Sequence, residues 1–241
     1  MVWRSALGGL AQFFMFLVTK FIDLIFPPLC VHCGREGAWL CLTAQTSLNH
    51  EQLLIDPLPI RGVDRVITRG SYDCEPLAQL IQKLKYHYWT GLSEVLVGVL
   101  EPCRSELSGL ADAVLVPVPL HRRRQRERGF NQSLLISQAL RRVTGRPITP
   151  LLACMKYTAP QARLSAVARL TNMIGAFGRD RRVASHRRTT RGEAPPAGGG
   201  WPSSVILVDD VITTGSTMAE CASVLRQHGV RDITAVALAK G

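Results

Sequence analysis

Aromatic side chains are scarce in this chain, at 6% of 241 residues. That scarcity argues against a surface built mainly from stacked aromatic platforms for nucleobases. Acidic residues are also short, 18 against 29 Lys plus Arg, for a net charge of +11. A surplus of that size points to polyanionic partners: nucleotides, nucleic acid or an anionic membrane surface. No Gly-x4-Gly-Lys-Ser/Thr run occurs, which excludes a Walker-type phosphate loop. The apolar start of the chain carries only 15 uncharged residues before Lys20, with Asp23 close behind. A membrane span needs about 20 apolar residues, and no small-residue cleavage site follows as a signal peptide requires. Residues 1–26 are therefore expected to form an apolar helix docked on the protein or at a membrane surface, ended by Pro27-Pro28. No internal repeat is present. The seven cysteines are odd in number and irregularly spaced, as expected of a reducing, cytoplasmic compartment.

What is abundant is aliphatic sequence, and its most informative stretch is Val205-Ile-Leu-Val-Asp-Asp-Val-Ile-Thr-Thr-Gly-Ser-Thr217. Val205 to Val208 reads as a strand buried on both faces, as in the middle of a parallel sheet. From Ser216 the pattern turns helical, with Met218, Cys221, Ala222, Val224 and Leu225 on one face and Gly229 as the stop. A strand, a tight loop and a helix start make an anion site. Backbone N–H groups of Thr213, Thr214, Gly215, Ser216 and Thr217 can converge on a phosphate, aided by the helix dipole and the side-chain hydroxyls. Asp209 and Asp210 fall at the carboxyl end of the strand, where open α/β sheets hold ligands. Two carboxylates beside a phosphate cradle suit a sugar phosphate. The segment resembles the phosphoribosyl pyrophosphate (PRPP) signature of type I phosphoribosyltransferases. An acidic turn followed by a Ser/Thr-rich cap is the alternative reading.

Near the N-terminus, Cys30-Val-His-Cys33 is followed by Cys41-Leu-Thr-Ala44. Two such knuckles would supply four tetrahedral zinc ligands, but Ala44 stands where the fourth cysteine is expected. Cys30, Cys33 and Cys41 thus form an incomplete zinc site unless His32, His50 or a distant cysteine completes it. Zinc is expected to be held substoichiometrically or not at all. Residues 46–62 read as a linker. Val63 to Tyr72 reads as a strand, Glu75 to Tyr88 as an amphipathic helix with Lys83 and Lys85 near its end, and Gly91 to Leu107 as a second helix. The basic helix end is the usual complement of a helix dipole.

Ala113 to Pro119 is a further buried strand, and Arg122, Arg123, Arg124, Arg126 and Arg128 follow it in an expected loop. Clustered guanidinium groups suit phosphate, although a solvated basic loop would look the same. A helix from Phe130-Asn-Gln-Ser runs to Gly145, and Ile233 to Leu238 is the last strand. Three segments carry a specific resemblance: Phe26-Pro-Pro-Leu-Cys-x-x-Cys33; Pro117-Val-Pro-Leu-His with Arg-Glu-Arg-Gly-Phe-Asn-Gln132; and Gln161-x-x-Leu164…Arg169-x-x-Asn172…Gly175-Ala-Phe177. In this order they resemble the ComF (GntX) family of phosphoribosyltransferase-like proteins, from about residue 20 to the C-terminus. Ala44, the Val31-His32 pair and a long linker before the PRPP strand depart from that pattern.

The resemblance implies a fold of α/β class: a type I phosphoribosyltransferase-like parallel sheet flanked by helices (residues 61–241). The Arg-, Pro- and Gly-rich stretch 179–204 within it is expected from its composition to be a mobile insertion. A zinc-ribbon-like module (27–60) and the apolar helix (1–26) precede the sheet domain. The resemblance also implies a PRPP ligand with Mg²⁺, and a part in uptake or use of external DNA, with single-stranded DNA as a partner. Asp209, Asp210 and the 213–217 loop would hold PRPP, Arg122 and Arg123 its pyrophosphate. Arg128 and Arg169 would act in catalysis, Arg169 from a loop that closes over the site. An active phosphoribosyltransferase without a DNA role is the competing expectation.

Overall fold

The computed structural model describes residues 27–86, 92–110, 112–157, 173, 175–180 and 201–241. The expected helix over 1–26, Arg163 and Arg169, and most of the arginine-rich insertion lie outside these residues. No described helix is long and apolar enough to cross a membrane.

Five strands form the central sheet: β1 (Leu54–Ile55), β2 (Arg65–Ser71), β3 (Val114–Pro117), β6 (Ser204–Ile212) and β7 (Asp232–Lys240). Their spatial order is β1-β2-β7-β6-β3. All neighbours run parallel except the short edge strand β1. Strands β4 (Leu152–Cys154) and β5 (Phe177–Arg179) form a separate antiparallel pair. Helices cover both faces of the sheet, as the aliphatic runs require. Ile67, Leu115, Ile206, Val208 and Val236 pack against α2 (Glu75–Tyr86), α3 (Leu92–Leu100), α4 (Cys103–Ser108) and α6 (Gln132–Thr144). Val66, Val116, Val205, Leu207 and Ala235 pack against α7 (Ser216–Gln227) and the β4–β5 pair. The strict alternation of Val205, Ile206, Leu207 and Val208 between the two cores is the period-2 geometry of a strand.

Three local expectations are corrected. The helix expected over 91–107 is two helices, because Pro102 lacks an N–H and α4 restarts at Cys103 behind it. The linker expected from residue 46 instead begins as helix, since α1 (Leu42–His50) starts at Cys41 and buries Ala44 and Leu48. Strand β6 does not stop at Val208. Pairing with β7 carries it through both carboxylates to Ile212.

The cysteine module is not an appendage. Cys30, Val31, Leu40, Ala44 and Leu48 belong to the same core as α2, α3 and one face of the sheet. Gly70 of β2 permits part of this junction. A Cβ there would lie 2.3 Å from Glu51 Cγ, and Glu51 Oε1 accepts the Ser71 N–H at 2.7 Å. Gly70→Ala should therefore cost about 1–3 kcal/mol through overpacking. Urea denaturation checks this, and an unchanged midpoint would mean that Glu51 moves aside freely.

Candidate functional site

The carboxyl end of the parallel sheet gathers the site from three segments. Asp209 Oδ1 accepts the Ser133 hydroxyl at 2.9 Å and the Asp210 N–H at 2.9 Å. Ser133 is placed by the start of α6, where the Asn131 side chain caps the helix by accepting the Ser133 N–H at 3.0 Å. The same Asn131 donates to the Val118 carbonyl at 3.0 Å, fastening the helix start to the end of β3. Asp210 turns one oxygen to the Val211 N–H at 2.8 Å and the other to Lys85 Nζ at 3.7 Å. Lys85 lies in the last turn of α2. Neither Lys85 nor Ser133 is an obvious site residue in the sequence. Lys85 reads as dipole complementation until the fold sets it over Asp210.

Burial pushes the Asp209 carboxyl up to about 7, and the neighbouring Asp210 charge adds to the rise. The Asp210 N–H, the Ser133 hydroxyl and the Lys85 charge oppose it without cancelling it. A carboxyl that resists ionising in the absence of a ligand is one that a cation or hydroxyl donors would stabilise.

Beyond the carboxylates, Gly215 is the N-cap of α7 with φ 74°. A Cβ there would also come within 2.8 Å of Ile60, so both conformation and space require glycine. Ser216 is buried in the first turn, and the Thr214 hydroxyl donates to the Ser216 hydroxyl at 3.2 Å. Thr213, Thr214 and Thr217 are half-buried around this helix start. Thr213 to Thr217 thus form the junction of strand and helix expected of them.

The arginine segment differs from expectation. It is a short helix, α5 (Arg122–Arg128), with no buried residue. His121 Nδ1 caps it by accepting the Arg123 N–H at 3.2 Å. Val118, just before it, donates its N–H to the Val208 carbonyl at 2.9 Å, so α5 starts from the same sheet end as Asp209. The guanidinium of Arg123 pairs with Glu127 at 3.0 Å rather than with either aspartate. It also lies 4.8 Å from the Tyr157 ring centroid, with Arg124 at 5.8 Å and the His121 ring edge-on at 5.2 Å. His121, Arg123, Arg126, Glu127 and Tyr157 line an open cleft. Arg122 is exposed and Arg128 half-buried on this helix.

Compared with curated proteins, the chain is 33% identical over 219 residues to competence protein F of Haemophilus influenzae, covering 88% of this chain and 85% of that one. The chain belongs to the ComF family. It is also 32% identical over 216 residues to the DNA utilization protein YhgH of Escherichia coli O6:H1, covering 85% of this chain and 86% of that one. With the protein of the same name from Salmonella typhimurium it shares 32% identity over 211 residues, 85% of this chain and 81% of that one. No protein-family model matches the chain.

The ComF chain also carries its cysteine cluster as a preformed group. Cys30, Cys33 and Cys41 bring their sulfur atoms within 4.8 Å of one another, and Cys33 and Cys41 stand 3.7 Å apart. The Cys30 thiol is buried, which raises its pKa, yet N–H groups of Cys33, Cys41 and His32 overcome this and lower it to about 6. The residues proposed to complete a zinc site do not join it. His32 Nδ1 is engaged with Gln79 Oε1 of α2 at 3.0 Å, and His50 is exposed in the last turn of α1. All seven cysteines are free thiols. Three thiolates therefore fit zinc, and a closed four-ligand protein site is not formed among the described residues.

Proposed function

We propose that this ComF protein binds PRPP with Mg²⁺ at the β6–α7 junction and serves the uptake or use of external DNA. The observation that carries the PRPP reading is the pair Asp209 and Asp210 at the end of a central parallel strand, running within a few residues into a glycine-capped helix start. The DNA role rests on the names of the relatives, competence protein F and DNA utilization protein. PRPP is a dense polyanion on a ribose. Ribose hydroxyls would donate to the two carboxylates, while the 213–217 backbone and hydroxyls take the 5′-phosphate. Mg²⁺ would neutralise the pyrophosphate through phosphate oxygens and water. Lys85, 3.7 Å from Asp210, and the arginines of α5, which starts from the same sheet end, would meet the remaining charge. Isothermal titration with PRPP and Mg²⁺ tests this reading: one site per chain is expected, and no heat at any magnesium concentration would end it. Release of pyrophosphate in the presence of a base, amine or DNA end would add transferase turnover to the binding role.

Single-stranded DNA would be held mainly through its phosphates by the α5 arginines Arg122, Arg126 and Arg128, with Tyr157 and His121 as a small aromatic element in the cleft that Arg126 lines. Affinity should then fall steeply with salt, by a log–log slope of about −0.7 for each phosphate neutralised. Fluorescence anisotropy of a labelled oligonucleotide at low and physiological salt measures the slope. Tight binding that ignores salt, or no binding at low salt, rules out this mode.

A further inference from the structure

The cysteine module is one ligand short, with Ala44 at the spacing where a fourth cysteine is expected. Ala44 sits in the first turn of α1 with no exposed surface, in the same core as Cys30. A methyl group there cannot donate to a metal. His32 is turned away to Gln79, and His50 lies six residues further along α1, about 9 Å at 1.5 Å per residue. Among the described residues, no other His, Cys, Asp or Glu belongs to the cluster.

The three sulfurs nevertheless have metal-site geometry. Two thiolates on a tetrahedral zinc, each about 2.3 Å from it, lie about 3.8 Å apart. Cys33 and Cys41 are separated by 3.7 Å. The backbone N–H of Cys41 points to Cys30 Sγ at 3.3 Å, the outer-shell support that spreads thiolate charge and fixes ligand direction. Cys33 is exposed, so solvent reaches the cluster from its side.

We infer that this chain holds zinc through Cys30, Cys33 and Cys41 alone, leaving the fourth coordination position open to an exchangeable monodentate ligand such as water or a small thiol. Three protein ligands with one open position is the arrangement of reactive zinc sites, whereas structural sites close all four. The ion would be held more weakly than in a closed ribbon, and its retention would depend on what else is in solution. Zinc below one equivalent per chain after purification without added metal follows directly.

Cobalt(II) reports the coordination of such a site through its visible absorption. The full-length reduced protein should bind one equivalent of Co²⁺ with thiolate charge-transfer bands. Adding imidazole or 2-mercaptoethanol should shift the d–d bands, because each can enter the open position. Ala44→Cys should abolish that shift and tighten zinc binding by at least about tenfold, since losing even an outer-shell partner costs ten- to a hundredfold. Bands that ignore the added ligands in the unmodified protein would show a closed site and overturn the inference. Failure of the reduced protein to bind cobalt would overturn it as well. Should Ala44→Cys not fold, the ligand titration of the natural sequence decides alone. PRPP takes no part in these measurements, so their outcome is separate from that of the β6–α7 site.

Discussion

Changing Asp209 and Asp210 together to asparagine should weaken PRPP binding by about 3–6 kcal/mol, because each carboxylate would lose a hydrogen bond worth about 1.5–3 kcal/mol to a charged group. That is roughly a hundredfold to ten-thousandfold in Kd. Asparagine keeps the shape of aspartate, so Ser133 and the Asp210 N–H still find an acceptor and the fold should persist. Calorimetry is the measurement, and an unchanged affinity in the double variant would remove the PRPP assignment. The elevated Asp209 adds a pH signature. Its native value of about 7 lies above the ordinary 3.8. Between those values the native state holds a proton that the unfolded chain has released. The contribution of Asp209 to stability is therefore present at the acid end and declines as pH rises towards 7. Ligand binding should run the other way, since the ionised form accepts the ribose hydroxyls. Affinity should drop by up to about tenfold per pH unit below 7. Asp209→Asn alone should remove both dependences.

The largest stability loss is expected at Arg69. This side chain of β2 is 2% exposed, and among the described residues no carboxylate forms an ion pair with it. Its Nε donates to the Val99 carbonyl at 2.7 Å and its Nη1 to the Glu51 carbonyl at 2.8 Å, while Nη2 reaches the Leu48 carbonyl. These carbonyls lie at the C-terminal ends of α3 and α1, where regular i→i+4 partners run out, and the Leu48 carbonyl also takes the Glu51 N–H at 3.2 Å. One guanidinium thereby ties the cysteine module, a sheet strand and a covering helix together. Burial lowers its pKa, but a guanidinium stays charged. Arg69→Met would fill the space but take the donor from the Val99 and Glu51 carbonyls and one of two donors from Leu48, at a cost of about 3–5 kcal/mol. Against a typical total of about 5–15 kcal/mol, that is enough to unfold a marginal domain. Chemical denaturation reads it, and a loss below about 1 kcal/mol would show that water replaces the guanidinium.

Much of this arrangement was legible in the residues. Val205 to Val208 had to be buried on both faces, and the turn to helical spacing at Ser216 placed α7 and its cap. The family followed from three local motifs, and identity over most of the chain bears it out. What was not legible depends on distance or on the lack of an apolar face. Helix α5 buries nothing, so its residues carry no hydrophobic period to read. Lys85 meets Asp210, and Ser133 meets Asp209 across 76 residues, only because parallel strands bring their ends together. Arg69 shows no local pattern at all. Ala44 is legible in the sequence as a missing ligand, but its burial in the common core depends on the fold.

The pairing of β2 with β7 has a kinetic consequence. The first long strand of the sheet is held by the last, and Asp64 accepts the Ile233 N–H from 169 residues away. Until residues 232–240 have left the ribosome, β2 has no parallel partner and β6 is paired only on its β3 side. Such a topology closes its longest loop last, which slows folding and leaves aliphatic strand edges open meanwhile. Chains truncated inside β7 would then be aggregation-prone, because β2 and β6 would each present an open edge that β7 covers in the finished sheet.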